Sequence, residues 1–169
     1  MAHNITIITR RNIADELTIA KKWFYGRLSD PEFLNRIYDL ESLPSKDSRY
    51  RNANEDIFQH TVNNFDWEAN WVFYDNRFNL MKCSDEKFLE FLCETIHPMV
   101  RSDQKDVDEL LNIYNTHLKN DGYEISESGR ISNKPVYSFL MNGKFPTNKN
   151  TTAEIQDMLD TAYVSSQIE

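Results

Sequence analysis

The sequence predicts an α+β fold: a mainly helical N-terminal part, a helix–helix–β-hairpin unit near the C-terminal end, and a linker helix after it. Apolar residues recur at spacings of three and four through two segments between 84 and 118, as in amphipathic helices. Two runs rich in β-forming residues follow, on either side of a turn that contains Gly129. No linker-like stretch interrupts residues 1–140, so we expect them to form one domain.

Three helices are predicted in the N-terminal part from their start signals. Asn12 can cap a helix, with Asp15 three residues later, and Asp30 precedes a proline at the first helical position. Asn52 or Asn54 can cap a short third helix. Ile13 and Leu17 share one face of the first predicted helix, Phe33, Leu34, Ile37 and Leu40 recur at helical spacing in the second, and the third carries Ile57, Phe58 and Val62. Gly26 and Pro44 are the expected ends of the first two helices.

The segment from Asp66 to Met81 is rich in aromatic residues and allows two interpretations. The runs 71–74 and 77–81 could pair as a β-hairpin around Asp75-Asn76. An irregular loop packed by its aromatic side chains is the alternative.

The C-terminal unit has clearer signals. Ser84 is the predicted cap of one helix, Ser102 or Asp103 begins the next, and Gly122 ends it. The predicted strands span residues 123–126 and 134–140. Residues 141–152 resemble a linker, and from Ala153 a helical pattern runs without a stop signal. We therefore expect a domain over 1–140, and over 141–169 a linker and the start of a helix that leads to an effector domain absent from this chain.

The composition argues against several classes of protein. The 169 residues carry 27 Asp and Glu against 19 Lys and Arg, giving a formal net charge of −8. Such a surface is unsuited to binding nucleic-acid phosphates over its whole area. No run approaches the roughly 18 apolar residues of a membrane span, and no signal-peptide pattern opens the chain. We expect a cytoplasmic location without a membrane partner.

No motif of a cofactor-, metal- or nucleophile-dependent enzyme occurs. The chain lacks the patterns GxGxxG, GxxxxGK[ST] and GxSxG. Cys93 and His97 would share a helix face, but no Cys-x-x-Cys or His-x-x-x-His pattern supplies further zinc ligands. We predict no cofactor and no metal site, with Cys93 as a buried small side chain.

One short stretch near the N-terminus is locally basic. It contains Arg10-Arg11 and Lys21-Lys22, followed by Trp23, Tyr25 and Arg27. Basic residues among aromatics can hold nucleic acid through phosphate contacts and stacking, although a solvated helix face has the same pattern.

The densest polar cluster lies in the middle of the chain. Its charges alternate with aromatic residues, which suits either ion pairs that brace a core or a recognition surface. The cluster comprises Asp47, Arg49, Arg51, Asp56, His60, Asn63, Asn64, Asp66, Asp75 and Arg77, among Trp67, Trp71, Phe73, Tyr74 and Phe78. A small enzyme site built from Arg49, His60, Asp75 and Arg77 is a further alternative, which requires these side chains to lie within hydrogen-bond reach or one water of one another.

Several co-linear motifs resemble one known family. They are ITRRNI (8–13), WFYGRL (23–28), FLNRIYDL (33–40), LPSKDSR (43–49), DIFQH (56–60), NNFDW (63–67), WVFYDNRFNL (71–80) and FLEFLCETIHPMVR (88–101). Together they resemble the AbiJ N-terminal domain family, third type, of bacterial abortive-infection proteins. The similarity covers nearly all of residues 8–140.

This resemblance implies an antiphage context and a role as a non-catalytic sensor or regulatory domain. In that family the region precedes an effector, often one similar to HEPN ribonucleases, so the implied partners are a C-terminal effector domain, a phage or host trigger, and possible further copies of the chain. The Arg-x4–6-His signature of such ribonucleases is absent here. The matched motifs offer Arg27, Asp47, Arg49, Asp56, His60, Asp75 and Arg77 as recognition candidates, and the polar–aromatic cluster adds Trp67 and Trp71.

A nucleic-acid-binding module is the alternative in another class. The helix–helix–hairpin unit has the outline of a winged helix-turn-helix. Its second helix, however, is acidic on the polar side, with Asp103, Asp106, Asp108 and Glu109 against Lys105 and Lys119. That charge argues against insertion of the helix into a nucleic-acid groove and against nucleic-acid binding through this domain.

Overall fold

The computed structural model describes residues 5–22, 28, 30–131 and 133–141. It confirms a mainly helical α+β fold with one antiparallel hairpin near the C-terminal end. The helices are α1 (Ile7–Ile19), α2 (Pro31–Leu34), α3 (Ala53–Phe58), α4 (Trp71–Tyr74), α5 (Asp85–Thr95) and α6 (Gln104–Leu118), and the strands are β1 (Tyr123–Ile131) and β2 (Lys134–Met141). A π-helical turn, Gln59–Asn63, continues α3, and 3-10 turns lie at Leu40–Ser42 and Lys119–Asp121.

Helix α1 begins earlier than the sequence signals predicted. Thr6 is its N-cap, and the Thr6 hydroxyl accepts a hydrogen bond from the backbone N–H of Thr9 at 3.1 Å. The prediction of a start at Asn12 was therefore wrong, since Asn12 lies inside the helix. The predicted buried face is confirmed, because Ile13 and Leu17 are fully buried.

Helix α2 is a single turn, much shorter than the predicted helix with its expected end at Pro44. The side-chain oxygen of Asn35 accepts the backbone N–H of Leu40 at 3.2 Å, and this local bond competes with helical hydrogen bonding. The chain instead continues through turns into the 3-10 turn at Leu40. Phe33, Leu34 and Leu40 still reach the core, as predicted.

The hairpin interpretation of the middle segment was wrong. Trp71–Tyr74 forms the one-turn helix α4, and a turn follows in which the carboxylate of Asp75 accepts the backbone N–H of Arg77 at 2.9 Å. An acceptor side chain that takes a nearby backbone donor favours a turn over a strand ladder. Asn79, at φ 56°, continues the turns, so the aromatic-packed loop was the better alternative.

The C-terminal unit agrees with the prediction. Ser84 caps α5 by accepting the N–H of Lys87 at 3.1 Å, and Asp103 caps α6 by accepting that of Lys105 at 2.9 Å. Gly122 ends the following 3-10 turn at φ 87°, where a side chain would be strained. β1 extends to Ile131, beyond the predicted end, and an irregularity between Glu127 and Gly129 shifts its register.

The core joins all parts of the described chain. Helix α6 contacts α1 and β1, and α5 contacts β2. The side chain of Asn115 in α6 accepts from the backbone N–H of Ile125 and donates to its carbonyl, at 2.8 and 2.9 Å, which fixes the helix against β1. No helix within the described residues is long and apolar enough to cross a membrane. The linker was predicted to begin at Met141, but this residue still belongs to β2. The predicted helix end at Gly26 and the rest of the predicted linker and helix, residues 142–169, lie outside the described residues.

A buried arginine ties the N-terminus to the middle loop and to α5. Arg10 donates to the carbonyls of Ile5 and Leu80, at 3.1 and 3.0 Å, and pairs with Asp85 at 3.2 Å. The same carboxylate accepts the hydroxyl of Tyr123 at 2.6 Å. Arg10 therefore holds the fold together and presents no charge to a phosphate backbone.

Candidate recognition groove

A buried ion-pair network fixes the loop after α4 to α3. Arg77 donates to both carboxylate oxygens of Asp56, at 3.1 and 3.2 Å, and to both of Asp75, at 3.0 and 2.8 Å. It also donates to the carbonyl of Pro44 at 2.9 Å. The exposed fractions of the three charged side chains are 5% for Arg77, 0% for Asp56 and 3% for Asp75. Because charges so deeply buried need partners, each member depends on the others.

Lys46 connects this network to the neighbouring loop. Its backbone N–H donates to Asp56 at 3.0 Å, and its ammonium lies 3.6 Å from Asp75. Burial alone would raise the pKa of Asp75, but hydrogen bonds from Arg77 and the charges of Arg77 and Lys46 outweigh burial and lower that pKa. Asp75 therefore stays ionised at neutral pH.

A second cluster surrounds His60. Its Nδ1 lies 2.8 Å from a carboxylate oxygen of Asp66, and its Nε2 lies 3.3 Å from one of Asp47. Arg49 donates to both oxygens of Asp47 at 3.0 and 2.6 Å, and these bonds hold the pKa of Asp47 well below its usual range. Since carboxylates only accept, the ring donates to Asp47 and Asp66 together only when both of its nitrogens carry protons.

The backbone around His60 has two uncommon features. His60 lies in the π-helical turn Gln59–Asn63, and such turns often occur at functional sites. Phe65 follows at φ 54°, a left-handed conformation that is uncommon for a bulky residue. This conformation leads directly into Asp66, whose backbone N–H donates to the carbonyl of His60 at 3.0 Å.

Aromatic rings extend from His60 to the surface. The ring of Trp67 stacks on His60 with centroids 4.7 Å apart and planes 7° apart, and Trp71 contacts Trp67 at 4.8 Å. These rings form one wall of an open groove of about 470 Å³. The groove is lined by Lys46, Asp66, Trp67, Glu68, Asn70, Trp71, Tyr74 and Asp75. A volume of this size suits a ligand or a side chain of a partner.

The structure brings eight of the nine candidate residues into two adjoining clusters. Asp47, Arg49, His60 and Trp67 form one, Asp56, Asp75 and Arg77 form the other, and Trp71 packs against Trp67. The ninth candidate, Arg27, lies outside the described residues. Among the described residues, no hydrogen bond or ion pair joins Arg49 or His60 directly to Asp75 or Arg77. The four residues of the alternative enzyme site therefore lie in two separate clusters.

The list of nine candidates omitted five residues that line the groove. They are Lys46, Asp66, Glu68, Asn70 and Tyr74, of which Asp66 and Tyr74 belonged to the wider polar–aromatic cluster. Lys46 lies in the motif LPSKDSR and Glu68 directly follows Trp67, so the motifs gave a signal for both. Nothing in the local sequence indicated that the loop carrying Lys46 meets the residues that follow Asp66.

The other reactive side chains of the described residues, Cys93 among them, show no arrangement of a second site. Burial raises the pKa of Cys93 to about 12, which leaves its thiol protonated and unreactive at neutral pH. No group of three or more His, Cys, Asp or Glu side chains in the part of the chain that the structure describes could hold a metal ion. From the basic stretch, Lys22 pairs with Asp106 at 3.2 Å and Glu109 at 2.6 Å.

The fold is that of a small, mainly helical domain with a β-hairpin, and one of its faces carries the aromatic groove. The sequence model of the family described as AbiJ N-terminal domain 3 matches residues 4–139. The chain belongs to this family of accessory domains of bacterial abortive-infection proteins, which act in antiviral defence. No curated protein and no solved structure matches the chain.

Proposed function

We propose that this chain is a non-catalytic sensor and regulatory domain that recognises a trigger through the aromatic groove. The observation that carries this proposal is the groove itself, in which Trp67, Trp71 and the half-exposed Tyr74 lie beside loops braced by buried ion pairs. Aromatic side chains held on a rigid support are typical of recognition sites, since little conformational entropy is lost when they bind.

The hydrogen bonds and ion pairs that the polar side chains already make favour recognition over catalysis. A general base must have a proton within hydrogen-bond reach and a lone pair free to take it. Asp56 and Asp75 are occupied by Arg77, and Asp47 is occupied by Arg49 and His60. These groups support the loops that form the groove, which is the expected arrangement for a binding site without chemistry of its own.

The contacts also suggest how occupation of the groove could be transmitted. Trp67 is a groove wall and stacks on His60, and His60 contacts Asp47 in the loop on its other side. A ligand that moves Trp67 therefore changes the support of that loop. Because a ligand shifts an equilibrium only through different affinities for two states, the trigger must prefer one arrangement of this loop.

In our proposal, the partner that responds to the altered loop is a C-terminal HEPN-like effector of the same polypeptide. The domain would act in the cytoplasm, alone or as a homo-oligomer, and would hold the effector inactive until the trigger binds. We expect the chain by itself to be non-toxic and to lack ribonuclease activity. Toxicity of the isolated chain in growing cells would contradict the proposal.

Phage plating on cells that carry the native gene tests the proposal. Tyr74→Ala removes a groove side chain that is 53% exposed, so the fold should tolerate the change. We expect this variant to lose protection while it is produced at the normal level. Tyr137→Ala, on the hairpin, is the control and should keep protection, since Tyr137 is not part of the groove. Full protection by Tyr74→Ala would argue against recognition at the groove.

A further inference from the structure

The residues that line the groove carry more negative than positive charge. Among its lining residues, Lys46 is the one cation against Asp66, Glu68 and Asp75. The charge of Lys46 is offset by Asp75 at 3.6 Å, and Asp66 contacts His60. Glu68 is exposed, and its carboxylate makes no ion pair with any residue that the structure describes. The groove therefore offers negative charge that none of the described residues neutralises by an ion pair with Glu68.

The aromatic side chains lie beside this negative charge. Trp67 directly precedes Glu68, and Tyr74 is exposed on the same groove. The faces of aromatic rings attract cations, and a guanidinium group also stacks on them through its planar form. A carboxylate next to aromatic faces is therefore well suited to bind an arginine side chain, which can pair with the carboxylate and stack on the rings.

The surroundings favour a protein partner over a small cation. The large apolar side chains of Phe58, Val62 and Phe65 are exposed on α3, the π-helical turn and the residues just after it. This segment also carries His60 and leads into the groove residues 66–68. Exposed apolar side chains concentrated next to a pocket are typical of protein-binding surfaces.

We propose that the groove binds an arginine-bearing segment of a partner protein. The guanidinium stacks on Tyr74 and Trp67, its charge is met by Glu68 and Asp66, and the exposed apolar residues contact the flanking part of the partner. This inference rests on the proposed function, because it gives the chemical class of the trigger that the groove would recognise.

Peptide titration of the full chain tests the ligand class. The probe is an acetylated and amidated hexapeptide of alternating arginine and glycine, with matched peptides that carry glutamate or glutamine in place of arginine. Binding is measured by calorimetry and by tryptophan fluorescence. We expect the arginine peptide to bind more tightly than both matched peptides. Equal binding of all three, or no binding of the arginine peptide, would overturn the proposal.

Two charge variants should change the affinity in opposite directions. Glu68→Gln should weaken binding of the arginine peptide about two- to fivefold, and Lys46→Gln should strengthen it by a similar factor, as expected for partly exposed charges. Tyr74→Ala should weaken binding about tenfold, as loss of an aromatic anchor does. Glu124→Gln removes an exposed carboxylate on β1 and should change nothing. The same response to Glu68→Gln and Glu124→Gln would show that only net charge matters and would overturn the site.

Phage plating with Glu68→Arg separates this inference from the proposed function. If the variant loses arginine-peptide binding but still protects cells, the ligand class stands and the proposed function fails. If the variant loses protection but the wild-type chain does not distinguish the three peptides, the proposed function stands and the ligand class is wrong.

Discussion

The imidazole of His60 and the indole of Trp67 stack face to face, with ring centroids 4.7 Å apart and planes inclined by 7°. This contact joins the groove wall to the cluster in which His60 contacts Asp47 and Asp66. A double-mutant cycle of His60→Gln and Trp67→Leu should therefore give a coupling energy of about 0.5–1.5 kcal/mol in urea unfolding. Aromatic pairs reach this range beyond the area that they bury.

The control for this cycle uses a histidine with a carboxylate partner elsewhere in the fold. His117 contacts Glu16 at 2.7 Å and joins α6 to α1. His117→Gln combined with Trp67→Leu should be additive within about 0.5 kcal/mol, because the two sites share no partner. Equal coupling in both cycles would mean that Trp67→Leu perturbs the whole domain and that the stacking has no specific role.

The buried ion pairs of Arg77 with Asp56 and Asp75 should contribute strongly to the free energy of unfolding. Arg77→Met leaves the carboxylates of Asp56 and Asp75 buried without their main cation, which should lower the free energy of unfolding by about 3–5 kcal/mol. Arg51→Met removes an ion pair with Glu55 in which the arginine side chain is 84% exposed, and it should cost far less, because solvent screens the pair. Chemical denaturation of both variants measures the two values. Similar losses would show that the buried network is worth no more than a surface pair.

The lowered pKa of Asp75 predicts acid lability. A carboxylate whose pKa is lower in the folded than in the unfolded chain stabilises the fold above its unfolded pKa of about 3.9. This contribution is lost as the pH falls from about 4 through the folded pKa, since the folded state must then take up the proton at the expense of the Arg77 bonds. Unfolding free energies measured from pH 6 to pH 2 should fall steeply in the acid range.

The variant Asp75→Asn assigns part of that acid lability to this residue. It should be less stable than the wild type at pH 6, yet its stability should fall less between pH 5 and pH 2, because it lacks the group that titrates. Glu124→Gln, on the exposed part of β1, should keep the wild-type slope. An unchanged slope in Asp75→Asn would place the acid sensitivity in other carboxylates.

The parts of the fold that the sequence predicted correctly depend on local rules. Helix caps and left-handed helix ends depend on residues that are close in the sequence. This locality is why the roles of Ser84, Asp103 and Gly122 could be predicted from their sequence neighbours alone. The start of α1 was predicted wrongly because Thr6 and Asn12 are both acceptable caps, and only the packing of Ile5 and Arg10 selects the earlier one.

The groove could be predicted only in part. Its aromatic residues and the charged pairs Asp47–Arg49 and Asp75–Arg77 are close in sequence and stood out together. The contact of Lys46 with Asp75 depends on two loops that meet only in the folded chain. The strained backbone at Phe65 and the π-helical turn at His60 have no sequence signature, because tertiary packing imposes both.

Two tyrosines with buried hydroxyl groups should respond in opposite ways to removal of the hydroxyl. The hydroxyl of Tyr38 is buried, and within the described part of the chain it has no hydrogen-bond partner, while its ring packs on Phe78 with centroids 4.6 Å apart. The hydroxyl of Tyr114 is also buried, but it lies 2.7 Å from that of Thr95.

A buried polar group without a partner costs about 1–3 kcal/mol, whereas a satisfied hydrogen bond stabilises by about 1 kcal/mol. Tyr38→Phe should therefore leave the free energy of unfolding unchanged or raise it, and Tyr114→Phe should lower it by about 1 kcal/mol or more. Urea unfolding of the two variants, each of which loses the same single oxygen atom, makes the comparison direct. A clear loss of stability in Tyr38→Phe would mean that its hydroxyl finds a partner in solution, and the residues around Phe78 would then pack differently from the arrangement described above.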